Sequence, residues 1–150
     1  MNDWNTSSVK GFGEVVSGGT PSTIIDAYWN GSIIWITPAD LSKVTQPFIT
    51  TSSKKITKEG LESSSANIIP AYNIVMSSRA PIGYFAIPTI DFCTNQGCKS
   101  IRVDENNDSL FHYYNLTFNV NNILKYGEGT TFAEISKKQL EKVKFNYPSL

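Results

Sequence analysis

The chain has 150 residues, with thirteen basic side chains balanced by thirteen acidic ones, so its formal net charge is zero. Hydrophobic residues make up 40% and charged residues 17%, a soluble and globular composition long enough for one domain with a sizeable core. The balance argues against an autonomous, nonspecific nucleic-acid binder, which would be strongly basic, and no apolar run approaches the ~20 residues of a membrane span.

Residues 12–17, FGEVVS, alternate weakly and read as a strand ending at Gly18 and Gly19. TPSTIIDAYWNG has turn chemistry at both ends, with one helical turn between. Residues 32–37, SIIWIT, are β-branched and aromatic, hence a strand. Thr37 and Pro38 suit the N-cap and first position of a short helix, PADLS, and Thr57 suits the cap of another, KEGLESS. YNIVMSS and GYFAI read as strands joined by RAP, and KSIRV as a further strand. Over 109–126, Leu110, Tyr113, Tyr114, Phe118 and Leu124 fall near helical spacing, and Gly127 supplies a stop. Ser136 with Gln139 forms a capping-box pattern for KKQLEKV. A last strand, KFNYP, ends at Pro148. Strands and helices alternate irregularly, which predicts a single α+β domain: a twisted sheet with short helices and long polar loops. Charge is uneven along the chain. Lys54, Lys55 and Lys58 cluster, as do Asp104, Glu105 and Asp108, and Lys137, Lys138, Lys142 and Lys144 crowd the C-terminal end.

The two cysteines, Cys93 and Cys98, flank TNQG with C-x4-C spacing. A structural zinc site needs about four ligands, and His112, the one histidine, lies on another segment. With no signal peptide and a reducing compartment expected, we read both as buried packing residues rather than a metal or redox site. Nucleotide loops of the G-x-G-x-x-G and G-x-x-x-x-G-K-[ST] kinds are absent, as is a G-x-S-x-G elbow. GEGTTF, at 127–132, follows a helix and lacks the lysine of a phosphate loop. His112 sits beside two tyrosines and reads as a packed or surface helix residue, not a triad member. We therefore expect no catalytic residue, metal or cofactor.

What remains is a set of hydrogen-bonding loops. Asn and Gln can match adenine edges, Arg can read guanine or clamp phosphate, and Ser, Thr and backbone N–H groups commonly bind phosphate. SSRAPIG and CTNQGCK hold this inventory. The same residue types are also ordinary turn formers, and Gly97 serves wherever a positive φ is needed. On these residues alone, a DNA reader, a protein- or carbohydrate-binding module and a degenerate enzyme domain all stay open.

The motifs SGGTPST…YWNGSIIWITPADL, KKITKEGLESSSANIIP, SSRAPIGYFAI, CTNQGCKSI and GEGTTFAEISKKQLEKVKFNYPSL occur in one order from about 11 to 150. In that order the chain resembles a target recognition domain of the specificity subunit of type I restriction-modification systems. The resemblance implies a non-catalytic, cytoplasmic domain that reads one half of a bipartite site in double-stranded DNA. It implies as partners modification (methyltransferase) subunits, a restriction subunit, and a second recognition domain in the same or a paired chain. The family continues into a long helical spacer, which the 150 residues do not include. An aromatic or aliphatic residue is usual where Cys98 stands, in keeping with packing. TNQG and Arg79 belong to segments shared by domains with different targets, so they suit a scaffold turn or a phosphate contact. Base reading is expected in 42–55, and secondarily in 20–32, with Trp29 and Trp35 in the core. The candidate DNA-binding residues are Thr51, Ser52, Ser53, Lys54, Lys55, Lys58, Arg79, Asn95, Gln96 and Lys99.

Overall fold

The structure is a computed structural model and describes residues 4–127 and 133–148; most of the GEGTTF stretch, 128–132, lies outside the described residues. In chain order the strands are β1 (Trp4–Ser8), β2 (Gly13–Ser17), β3 (Trp29–Ile36), β4 (Phe48–Ile49), β5 (Lys54–Ile56), β6 (Ile74–Ser78), β7 (Ile82–Pro88), β8 (Phe92–Thr94), β9 (Cys98–Val103) and β10 (Lys144–Pro148). The α-helices are α1 (Pro38–Leu41), α2 (Lys58–Glu62), α3 (Ser109–Phe118), α4 (Val120–Leu124) and α5 (Lys137–Lys142). The domain is α+β, as its composition and alternation imply.

A five-stranded sheet in the order β2-β9-β6-β7-β4 forms the middle layer. Side chains alternate across it with the period of two that a strand imposes. Ile74 and Met76 of β6, Phe85 and Ile87 of β7 and Ile101 of β9 share a core with Leu116, Ile123 and Leu140 of the helices. Val75, Ala86 and Cys98 belong to the opposite core, with Ile34, Ile36 and Phe92 of a three-stranded sheet, β5-β3-β8, and with Leu41 of α1. Both faces are therefore dry, and every residue of β6 is buried, which is why its apolar run does not alternate. The third structural unit is the antiparallel ribbon of β1 and β10, tied to the body by Val9 N–H donating to the Val143 carbonyl at 3.0 Å.

Four strands escaped the sequence reading, and each for a physical reason. β1 is polar because its first three residues are exposed. β4, β5 and β8 are two or three residues long, too short to display a period. β3 starts three residues earlier than its apolar run, at Trp29, because a bulge between Trp29 and Ile33 absorbs an irregular stretch. There Gly31 passes so close to the Ile56 carbonyl that a Cβ would collide with it. The expected helix over 109–126 divides at Asn119, whose side chain donates back to the Asn115 carbonyl at 2.9 Å, a competing bond that disfavours helix continuation.

Trp35 is buried and donates its Nε1–H to the Gly19 carbonyl at 2.9 Å; Trp29, half-buried, meets it edge-on at 5.0 Å. Cys93 and Cys98 are buried and unpaired. Burial pushes both thiols up to about 12, so both are neutral packing groups at any ordinary pH. They fall in separate clusters, Cys98 beneath the five-stranded sheet and Cys93 with Trp35 and Ile56.

His112 is packed rather than exposed. Its ring lies over Phe12 at 3.8 Å and 9°, and its Nε2–H donates to Asn107 Oδ1 at 3.0 Å. Burial pushes its pKa down to about 4, against the opposing pull of Asp108. The neutral ring is thus the folded form. An unfolded histidine titrates near ~6.5 and takes up its proton first, so this contribution is complete above that pH and is lost as pH falls toward 4. Thermal midpoints measured between pH 7 and 4 should fall with acidification, and His112→Phe should make that limb shallower.

Candidate nucleic-acid interface

β3 and β8 run parallel and finish side by side at Ile36 and Thr94. Asn95 N–H donates to the Ile36 carbonyl at 3.0 Å, and from there the two chains part. One enters α1 through a capping box: Thr37 Oγ1 accepts from Asp40 N–H, and Asp40 Oδ2 accepts from Thr37 N–H at 3.0 Å. The other turns through Asn95, Gln96 and Gly97 into β9. Asn95 Oδ1 accepts from Gly97 N–H at 2.9 Å, an Asx turn that occupies the side-chain acceptor. Gly97 is required by proximity rather than by a positive φ, since a Cβ there would lie 2.8 Å from Pro38 Cγ. The two diverging segments are thus locked against each other.

The neighbouring strand end joins them. Ser78 N–H donates to the Gly97 carbonyl at 2.8 Å, and Arg79 follows. The Arg79 guanidinium is partly exposed and stands 3.9 Å from the Glu134 carboxylate. Lys99 lies behind it, 6% exposed, its Nζ 3.5 Å from Ser78 Oγ. Burial lowers the Lys99 pKa, Glu134 pulls it back up, and Arg79 pushes it further down. Gln96 is exposed and accepts from the Thr20 hydroxyl through Oε1. Arg79 thus meets Asn95 and Gln96 of the turn and Lys99 of β9 at one end of the sheets.

Residues 42–53 form the adjoining flank, and 43–46 and 48–53 line an open cleft of about 460 Å3 with Asp40. Asp40 Oδ1 accepts from Ser53 N–H at 2.9 Å and from Ser53 Oγ at 2.5 Å. Burial would raise the Asp40 pKa, but the hydrogen bonds from Ser53 and Thr37 outweigh it and hold the carboxyl below its ordinary value. Ser52 is buried: its Oγ accepts from Trp35 N–H at 3.0 Å and donates to the Lys54 carbonyl at 2.6 Å. Ser52 and Ser53 thus hold the loop, while Ser42, Lys43, Thr45, Gln46, Thr50 and Thr51 are exposed polar residues along it. Lys54 and Lys55 lie on β5, in register with Trp35 and Ile34. Lys58 stands apart, beyond the far end of β5, in an i,i+4 pair with Glu62 at 3.9 Å. Asp40 is the residue that the sequence reading missed. Its spacing from Thr37 announced a cap, but nothing local announced Ser53, thirteen residues away. Among the described residues, no group of three or more His, Cys, Asp or Glu is placed to hold a metal ion.

Fold and surface together define the class: an α+β domain whose three-layer core carries a polar ridge of hydrogen-bonding loops. Residues 1–150 match the type I restriction modification DNA specificity domain, and the chain belongs to that family. It is 38% identical over 151 residues to the type I restriction enzyme MjaIX specificity subunit of Methanocaldococcus jannaschii, covering 98% of this chain and 34% of that subunit. The EcoR124I/EcoR124II specificity subunit of Escherichia coli is 29% identical over 155 residues, covering 99% and 37%. Among solved structures, the HsdS subunit from Thermoanaerobacter tengcongensis shares the fold with a TM-score of 0.68 at 17% identity, over 97% of this chain and 33% of that one. The chain thus spans about a third of the length of the relatives it matches.

Asp40→Ala removes four hydrogen bonds from one carboxylate, two of them from Ser53. The loss should cost about 1–3 kcal/mol and release residues 51–53 from α1. Hydrogen exchange should show the Ser53 amide losing protection while the β6 amides keep theirs.

Proposed function

We propose that this domain reads one half of a bipartite target in double-stranded DNA, as the non-catalytic specificity component of a type I restriction-modification system. The observation that carries the reading is the ridge itself. Segments from five places in the chain, at Thr20, 37–40, 51–53, 78–79 and 95–97, are tied into one surface by backbone and side-chain hydrogen bonds. A rigid polar surface of this kind holds its donors and acceptors in fixed register, as direct readout of base edges requires.

Roles divide by how each residue is already occupied. Arg79, exposed at the rim, contacts phosphate, and Lys99 supports it from behind. Asn95 spends its acceptor on the turn and leaves its amide to the backbone of the DNA. The exposed residues of 42–51, Thr51 among them, are free to meet bases, and Gln96, whose Oε1 is taken by the Thr20 hydroxyl, keeps its amide N–H groups for a base edge. Lys54 and Lys55 flank that loop and add phosphate contacts; Lys58 lies farthest from the ridge and contributes least. The remaining partners are modification subunits, a restriction subunit and a second recognition domain, in the same chain or a paired one, acting in the cytoplasm. The domain alone binds DNA weakly, and linkage of two half-site contacts raises the affinity.

The test grafts the domain into a complete specificity subunit and selects from randomised duplexes. Arg79→Ala should weaken every sequence alike, as a phosphate contact does, whereas replacing 45–51 should change the selected half-site. An unchanged half-site after that replacement places base reading elsewhere; carbohydrate or protein binding without salt-dependent DNA binding favours the alternative of a different binding module.

A further inference from the structure

The lysines at the C-terminal end take no part in the ridge, yet the fold gathers them. Lys138 and Lys142 stand one turn apart on α5, and with Lys10, Lys144 and Ser8 they line an open groove of about 630 Å3 whose one acidic wall residue is Glu141. All four lysines are exposed. Among the described residues the ion pairs are Lys58–Glu62 and Arg79–Glu134, so none of the four lysines is in an ion pair with another described residue. In a chain of zero net charge, four lysines against one carboxylate make a local excess of positive charge that the fold gathers.

We propose that this groove holds the phosphate backbone of duplex DNA beside the site that the ridge reads, a second contact surface that rests on the DNA-reading function proposed above. Connectivity favours it. Ile135 N–H donates to the Ser78 carbonyl at 2.9 Å and Glu134 faces Arg79, so α5 starts next to the ridge. The helix then leads away toward Val143, whose carbonyl binds Val9 N–H, next to Lys10. Six residues at ~1.5 Å each make α5 about 9 Å long. A DNA strand carries one charge per ~3.4 Å of axis, so the groove spans two or three phosphates. The composition also separates DNA from an acidic protein. Protein interfaces are depleted in lysine and enriched in aromatics and arginine, and this groove holds four lysines, no arginine and no aromatic residue. Mobile ammonium groups suit phosphates as point charges, with no demand for bidentate geometry.

The experiment titrates the 150-residue chain with a labelled random-sequence duplex of about 30 base pairs across a salt series. The variant carries Lys10→Gln, Lys138→Gln, Lys142→Gln and Lys144→Gln together, with thermal midpoints confirming that it folds. Each lost phosphate contact should reduce the slope of log affinity against log salt by ~0.9, and loss of two or three should weaken binding about tenfold or more at low salt. Lys142→Gln alone should lower the slope, while Lys125→Gln, which removes the same charge elsewhere, should not. If the fourfold variant keeps the slope while Arg79→Ala lowers affinity, the groove proposal fails and DNA reading stands. If the unaltered chain shows no salt-dependent binding, both fail. If the fourfold variant loses only binding to polyglutamate, the groove belongs to an acidic protein and the proposal is overturned.

Discussion

Burial of both faces of the five-stranded sheet is the constraint from which the rest follows. A sheet that is apolar on one side needs one cover; this one needs two. Ile74, Met76, Phe85, Ile87 and Ile101 take α3, α4 and α5 on one side. Val75, Ala86 and Cys98 take β3, β8 and α1 on the other. The second cover has little room to move because small residues hold it close. Gly97 admits Pro38 where any Cβ would intrude, and Gly18 and Gly19 run hard against Asn95 and Ser65. The ridge is the rim of this three-layer stack, which is why its loops are rigidly placed despite being loops.

At that rim, polar residues sort into those that build and those that are left over. Asp40, Ser52 and Asn95 satisfy backbone groups of their neighbours, and Ser53 donates to the Asp40 carboxylate. Leaving such groups unpaired would cost more than a made hydrogen bond returns, so these positions are constrained by the fold whatever ligand is read. Thr45, Gln46, Thr50 and Thr51 are exposed, and varying them costs the fold little. A domain that must change its target without changing its architecture benefits from this separation.

Charge follows the same division. Zero net charge denies the domain a long-range field, so attraction to a polyanion must come from local surfaces within about a Debye length. Arg79 is tempered by Glu134, and Lys99 is buried behind it, which makes the ridge only mildly basic. On the DNA-reading function proposed above, that favours discrimination over grip, because a surface dominated by phosphate attraction binds every sequence; the proposed lysine groove then supplies the grip.

The sequence by itself determined the elements that carry a full period or a cap. FGEVVS, SIIWIT, IVMSS and SIRV are strands, Thr37, Thr57 and Ser136 cap the helices that follow them, and Cys93 and Cys98 are buried. These are local properties, fixed by side-chain shape, alternation and hydrogen bonds across three residues. The order of motifs likewise disclosed the family, since it records the whole fold in linear form. Tertiary structure alone decided the rest. WNTSS is a strand only because KFNYP returns to pair with it, 140 residues separating Thr6 from Asn146. KKI is a strand only because β3 lies beside it. Lys99, read as a surface cation, is covered because its strand lies second from the edge, between β2 and β6. Asp40 became the clamp of the 51–53 segment only when Ser53 came within reach. Each of these depends on a partner distant in the chain, and pairing at that separation leaves no period in the sequence because its energy comes from burial and hydrogen bonds that exist only once the chain has folded.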